Sequence, residues 1–311
     1  MKYFYSPYSL VKKDKMNAKD KTSFQMGVLI KAVQGGHWGV ADLSPHPELG
    51  DLPWQMQVLK KSTLYKRAIA LAQVDLQARK ESKSLLQNKW VKNNYLATNY
   101  KTFDFEKPIY ANQTVKIKAD VSIEKLAEIL NSIKADIKIR LDFNSILDLT
   151  HFQIFLDLLA PQALKKIEYI EDPTVFNLTY WQMWNKTVPL AWDFQNARPP
   201  ILVKAADFKI IKVTRETEPN YKWNLLSKFQ KYTLTSTMDH PVGLAHGLRI
   251  AQSLAKNDSG FLTLDLFEET AFHRYFIQRE NELNFSTEAL LDSGIGMAEE
   301  LDKLTWSSDA F

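Results

Sequence analysis

The 311-residue chain contains no cysteine. Disulfides, thiol nucleophiles, zinc–cysteine centres and iron–sulfur clusters are therefore excluded. Any metal must be held by oxygen or imidazole, and oxygen donors suit Mg²⁺, Mn²⁺ or Ca²⁺. Glycine is scarce, with ten residues in the whole chain against a usual ~7 %. The dinucleotide fingerprint G-x-G-x-x-G, the P-loop and the G-x-S-x-G elbow are all missing. No apolar run approaches the ~18 residues of a membrane span. The opening Met1-Lys2-Tyr3-Phe4-Tyr5-Ser6-Pro7 lacks the apolar core of a signal peptide. The expectation is a cytoplasmic protein with no membrane partner. A dominant charge is lacking too: 40 Lys+Arg face 36 Asp+Glu, a net +4. The two signs are interspersed, which is weak support for phosphate binding, so no nucleic-acid partner is expected.

What is present reads as an ordinary globular chain, 45 % hydrophobic and 24 % charged. Phe24–Val33 is rich in strand formers and runs into a turn at Gly35-Gly36. Two irregular stretches, Lys12–Thr22 and the proline-containing Leu43–Pro53, read as candidate lids. Met56–Leu86 reads as helical, because Ala68, Leu71, Ala72, Asp75, Leu76 and Arg79 recur at 3–4 spacing without Gly or Pro. From Asn93 the rhythm changes. Strands are expected at Asn94–Thr98, Thr114–Ala119, Asp136–Asp142, Lys166–Glu171, Leu190–Asp193, Lys209–Val213, Tyr232–Ser236 and Gly260–Asp265. Helices are expected between most of them, at Ile123–Ile133, His151–Leu159, Leu225–Phe229 and Leu244–Ala255. Such alternation predicts a parallel sheet, and eight units predict a closed barrel whose functional groups sit at the strand C-termini.

The strand ends carry the chemistry. Lys116 and Lys118 share one strand face, as do Arg140, Asp142 and Asn144 on the next strand. The following strands end in Glu171, Asp193 and Lys212, each about one β/α unit further on. Three carboxylates converging on one point repel unless a divalent cation lies between them, and their hard oxygens suit Mg²⁺. Glu168 and Asp172 have the opposite parity to Glu171 and are expected to point away. Lys204, in Ile201-Leu202-Val203-Lys204, competes with Lys212 for the sixth strand end; spacing to Thr235 favours Lys212. The six histidines form no metal-binding pair, and His240 and His37 stand nearest the expected pocket. Trp38, Trp181, Trp184 and Trp192 read as core or interface.

These residues resemble the enolase superfamily, specifically its muconate-lactonizing subgroup. Thr114-Val115-Lys116-Ile117-Lys118 is similar to its T-x-K-x-K, Arg140-Leu141-Asp142-Phe143-Asn144 to its R-x-D-x-N, and Glu171-Asp172-Pro173 to its E-x-P. Asp193 and Ile211-Lys212-Val213 match the next two strand ends, and Thr235–Leu244 resembles the seventh-strand loop. The resemblance extends to the helical stretch Ala68–Arg79, similar to the capping domain. It implies a modified (β/α)7β TIM barrel with an N-terminal α+β capping domain. The cap would be residues 1–93, completed by about 285–311, and the barrel 94–284. Asp142, Glu171 and Asp193 would hold Mg²⁺, with Mn²⁺ a possible substitute. Lys118 would be the general base and proton donor, tuned by Lys116, and Lys212 would stabilise an enediolate. Arg140, Asn144, Thr235, Ser236 and Asp239 would bind a dianionic carboxylate.

Within the subgroup, the sixth-strand Lys-Val and the Met238–Leu244 loop are most similar to members that dehydrate a succinyl-hydroxycyclohexadiene carboxylate. Two departures stand out: Asp193-Phe194-Gln195 replaces Asp-Glu-Ser, and Thr235-Ser236 replaces Ser-Ser. Two other readings remain. One is N-succinylamino acid racemisation or dipeptide epimerisation on the same scaffold; Thr263-Leu264-Asp265 lacks the Asp-x-Asp of the epimerases. The other is a catalytically inactive basic binding protein.

Overall fold

The computed structural model describes residues 1–13, 22–193, 205–215 and 231–309. The chain opens on an antiparallel sheet in the order β1 (Lys2–Val11), β2 (Phe24–Gln34), β3 (His37–Leu43). Gly35 and Gly36, at φ 59° and 80°, form the two-residue turn between β2 and β3. Only positive φ at both positions matches the strand twist there, which glycine adopts without strain.

The single helical stretch expected over Met56–Leu86 is two helices, α1 (Trp54–Leu59) and α2 (Thr63–Lys80). Lys61 takes a left-handed φ of 47°, and the Ser62 hydroxyl caps α2 by accepting from Tyr65 N–H at 3.1 Å. The serine thus starts a new helix inside an unbroken 3–4 pattern. α2 lies against the sheet so closely that a β-carbon at Gly39 would collide with the backbone of Leu76.

After β4 (Val91–Lys92) comes a parallel sheet whose spatial order follows the chain in reverse. It runs β5 (Tyr95–Ala97), β6 (Thr114–Lys118), β7 (Lys138–Asp142), β8 (Ile167–Glu171), β9 (Leu190–Trp192), β10 (Phe208–Lys212) and β11 (Lys231–Thr235). Among the described residues the helices between them are α3 (Ile123–Ser132), α4 (Leu149–Leu158), α5 (Pro161–Lys166) and α6 (Leu178–Trp184); α7 (Pro241–Leu254) follows β11. α3 buries Ile123, Leu126, Ala127 and Leu130, the i, i+3, i+4, i+7 stripe that faces a sheet. Trp181 and Trp184 are fully buried, with Trp184 edge-on to Phe152 at 4.7 Å. They fill the helix layer rather than stacking on a ligand.

The eighth expected strand, Gly260–Asp265, shrinks to single bridges from Ser259 to Asn93 and from Gly260 to Thr235. These two residues nonetheless join the two edges of the curled sheet. The pairing stops because Phe261 N–H donates to the Asn93 side chain at 2.8 Å instead of to a strand. Leu264–Leu266 is a 3-10 turn. The chain returns through β12 (Phe276–Arg279) and β13 (Glu282–Phe285), then α8 (Thr287–Leu291) and α9 (Ala298–Asp302). Ser307 then pairs with Tyr5 of β1. Lys204 and the expected helix at 225–229 lie outside the described residues. No helix among those described is long and apolar enough to cross a membrane.

One packing feature makes stability pH-dependent. His246 on α7 is fully buried, with Nε2 2.8 Å from Val40 O of β3. Burial, with Arg249 nearby adding, pushes its pKa down to about 3. The folded state therefore refuses a proton that the unfolded state accepts near pH 6.5. This stability is complete above pH 6.5 and is lost as pH falls toward 3. Between pH 7 and pH 5 the loss is about 2 kcal/mol. Urea unfolding at both pH values should show the wild type losing that much more stability than His246→Gln. Equal losses would contradict the buried neutral imidazole.

Candidate active site

The parallel register brings the charged strand ends into one row. Lys118 of β6 is opposite Asp142 of β7, and Asp142 is opposite Glu171 of β8. Lys118 Nζ donates to Asp142 Oδ2 at 2.6 Å. Lys116 Nζ lies between two carboxylates, 2.8 Å from Asp142 Oδ2 and 2.5 Å from Glu171 Oε2. Lys212, at the end of β10, is paired with Asp193, just beyond β9. Three ammonium groups thus interleave with three carboxylates around the mouth, and their formal charges cancel.

The electrostatics differ from group to group. Burial disfavours the charged form of Lys116, but Asp142 and Glu171 outweigh it and hold the ammonium above its ordinary value. Burial likewise works to raise Asp142, yet Lys116 and Lys118 hold it well below the carboxylate range. Lys212 goes the other way. Burial pushes it down to about 8, and the neighbouring lysines reinforce the shift against Glu171 and Asp142.

All of these groups but Asp193 line a cleft whose empty space, counted out through its open mouth, is about 910 Å³. Of the residues expected to act, Lys116, Lys118, Lys212, Asp142, Glu171, Asn144, Thr235 and Ser236 line it. Asn144 adopts a left-handed φ of 49°, which asparagine tolerates, and its N–H returns to Asp142 Oδ1 at 3.2 Å. The Thr235 hydroxyl is buried without a hydrogen-bond partner and borders the cleft. Asp193 is not a lining residue; its carboxylate is paired with Lys212, and its N–H donates to Asp172 Oδ1 at 3.0 Å.

Arg140 does not line the cleft. It lies beneath it, fully buried, bonded to Glu168 at 2.6 Å, to Asn94 and to Asp258 O. Strand parity alone points Glu168 outward. It does not point that way, because the β7–β8 register slips between Ile139 and Arg140, so that Ile139 faces Ile167 and Arg140 faces Tyr169. Glu168 is the extra residue of that bulge, which re-aims its side chain onto Arg140. Asp239 also stays outside the cleft, accepting from the Thr237 and Thr214 hydroxyls. His37 opens β3 on the exposed surface, and His240 caps α7 by accepting from Val242 N–H. Burial holds His240 neutral, with a pKa pushed down to about 3.

Among the lining residues that sequence reasoning missed are two that carry charge or a titratable ring, His46 and Arg215. Arg215 Nη2 makes 2.6 and 2.7 Å contacts to both oxygens of Asp51. His46 N–H donates to Asp51 Oδ2 at 2.7 Å. A signal for His46 existed: it is the histidine of Pro45-His46-Pro47, inside the candidate lid Leu43–Pro53.

Whether the carboxylates suit a divalent ion is decided by their chemistry. They are hard oxygen donors at adjacent strand ends, and each already attracts a cation, namely a lysine ammonium. Among the described residues no three such groups close into a cage around a common point, since the lysines stand between them. The donor set fits Mg²⁺ in type and placement.

A curled parallel sheet with lysines and carboxylates alternating at its strand ends, preceded by a three-stranded antiparallel sheet, marks the chain as an enolase-superfamily enzyme of the muconate-lactonizing type. Solved structures share the fold. Muconate lactonizing enzyme from Mucobacterium smegmatis, complexed with muconolactone, has a TM-score of 0.76 at 12 % identity, covering 98 % of this chain and 99 % of that one. The L-Ala-D/L-Glu epimerase from Bacillus subtilis also has 0.76, at 14 % identity over 95 % and 98 %. O-succinylbenzoate synthase from Thermosynechococcus elongatus, complexed with Mg in its active site, has 0.68 at 14 % identity over 87 % and 95 %. In sequence, residues 3–78 match the family described as O-succinylbenzoate synthase, N-terminal domain. The o-succinylbenzoate synthase of Bdellovibrio bacteriovorus is 31 % identical over 341 aligned positions, 98 % of each chain. The chain belongs to the o-succinylbenzoate synthase family, whose members are carbon–oxygen lyases.

Proposed function

We propose that this enzyme dehydrates 2-succinyl-6-hydroxy-2,4-cyclohexadiene-1-carboxylate to o-succinylbenzoate, a step of menaquinone biosynthesis. The observation that carries the reading is the interleaved row Lys118–Asp142–Lys116–Glu171, faced across the mouth by Lys212–Asp193. The working unit is a cap of residues 1–93 completed by 285–311, seated on a barrel of 94–284.

In this reading Asp142, Glu171 and Asp193 would hold Mg²⁺, whose positive charge would make the C–H beside the ring carboxylate more acidic. Lys118 takes the C1 proton. The electron pair forms the C1–C6 double bond, the C6–O bond breaks, and Lys118 returns its proton to the departing hydroxide. One water leaves and the ring becomes aromatic. Base and acid are one residue, so the elimination is syn. Lys212 stands on the far side of the mouth, four strands from Lys118, and offers a cation to the charge that develops. Lys116 holds Asp142 and Glu171 in position. Asn144, Thr235 and Ser236 border the substrate, while Arg140 and Asp239 support the site from outside it.

Two lysines on opposite sides also suit proton exchange at one carbon, so N-succinylamino acid racemisation is the second reading. Dipeptide epimerisation is the weaker alternative, although the fold neighbours of this chain include an epimerase, because Asp265 is exposed in a 3-10 turn and among the described residues no lining carboxylate is left to hold a substrate ammonium. Purified enzyme with Mg²⁺ separates the readings. Aromatisation of the cyclohexadiene should be seen as an absorbance change at a turnover of order 1–10³ s⁻¹. Deuterium entering an N-succinylamino acid, with the diene untouched, would favour the second.

A further inference from the structure

His46 is the one cap residue among the described residues lining the cleft. Its side chain is 4 % exposed, yet Nε2 has no hydrogen-bond partner. A buried polar atom without a partner costs free energy, and here it borders a ligand cleft. The ring is held in place rather than loosely packed. Prolines on both sides restrict the backbone, and His46 itself is extended at φ −119°, ψ 87°. Nδ1 stands 3.0 Å from Glu48 Oε1. Burial works to raise Glu48, and its hydrogen bond to His46 outweighs this and keeps the carboxylate ionised. Glu48 therefore accepts from Nδ1–H, which orients Nε2. Asp51 then ties the loop to the barrel, accepting from His46 N–H and from Arg215.

Arg215 lies three residues past Lys212 at the end of β10, on the rim above the lysine layer. The rim thus presents a guanidinium and an imidazole backed by a carboxylate. The six charges below already cancel, so one divalent cation leaves room for a substrate of two negative charges. One carboxylate belongs at the metal end. The second needs a donor further out.

We propose that His46 binds the remote carboxylate of the substrate, with Nε2–H as the donor and Glu48 and Asp51 fixing its aim. The proposal rests on the dicarboxylate reading given above. The ring then uses one N–H toward Glu48 and one toward the substrate carboxylate, each a hydrogen bond to a charged acceptor.

The test compares two ligands on the Mg²⁺-loaded protein by titration calorimetry: o-succinylbenzoate, and 2-butyrylbenzoate, which lacks the remote carboxylate. The wild type should bind the first about 10–100-fold tighter, the range of a charged hydrogen bond. His46→Leu should remove most of that preference while leaving 2-butyrylbenzoate within about twofold. His46→Gln, which keeps an N–H near the Nε2 position, should retain part of it, and it carries the test if His46→Leu does not fold. Equal loss for both ligands, or loss for neither, overturns the role of His46. A wild type that binds neither ligand and does not turn over the diene overturns the substrate reading instead, and the proposal with it.

Discussion

Lys118→Ala should lower turnover of the cyclohexadiene by about 10⁴-fold, the upper range for removal of a general acid–base group, while Mg²⁺ still binds. The geometry explains why the loss should be so selective. Lys118 ends β6, and its Nζ contacts Asp142 alone among the carboxylates of the described residues. Asp142 keeps Lys116 at 2.8 Å when Lys118 is gone, so no buried carboxylate is left without a cation. Truncation therefore removes a reactive amine without unpicking the mouth. Lys116 is different. It bridges Asp142 and Glu171, and its loss would leave two carboxylates facing each other without the ammonium between them. Single-turnover kinetics with the Lys118 variant and calorimetric Mg²⁺ binding on the same sample provide the check. Full activity in Lys118→Ala would remove it as the base and turn attention to Lys212, whose lowered pKa of about 8 leaves a fraction neutral at physiological pH.

Much of this site is legible in the amino-acid sequence, and the reason is periodicity. A strand fixes which alternate residues share a face, so Lys116 and Lys118, and Arg140 and Asp142, follow from spacing alone, whereas Asn144 lies beyond β7 in a left-handed conformation. β/α alternation fixes that successive strand ends meet at one mouth. What escapes is what periodicity does not encode. The bulge that turns Glu168 onto Arg140 is a register slip between two strands, invisible in either one. Arg140 shares a strand face with Asp142 but lies one layer lower, too deep for the cleft. His46 and Arg215 reach the cleft from loops, and their meeting depends on Asp51 joining segments 164 residues apart. The eighth strand fails for a related reason: an asparagine side chain, rather than a strand, takes the Phe261 N–H.

Asp193→Asn should weaken Mg²⁺ binding by about 10–100-fold and, unlike Lys118→Ala, should do so before any chemistry is measured. The argument is one of charge. In the protein alone, three ammonium groups offset Asp142, Glu171 and Asp193. Binding a divalent ion asks the lysines to yield the carboxylate oxygens they occupy. Removing one negative charge makes the cluster net positive by one, so the incoming cation meets repulsion and has one charged donor fewer. Asp193 is the informative position because its pairing is local. Its side chain is bound by Lys212, its backbone N–H is fixed by Asp172, and Asn keeps the shape of both contacts. The fold should therefore survive. Thermal unfolding gives an independent reading. Mg²⁺ at a hundred times its dissociation constant should stabilise the wild type by about 2.7 kcal/mol. The same concentration should stabilise Asp193→Asn by about 0.4–1.4 kcal/mol, half of that or less. If Asp193→Asn matched the wild type in both the titration and the melting shift, Asp193 would not be a ligand. The metal would then rest on Asp142 and Glu171, and Lys212 with Asp193 would be a structural ion pair.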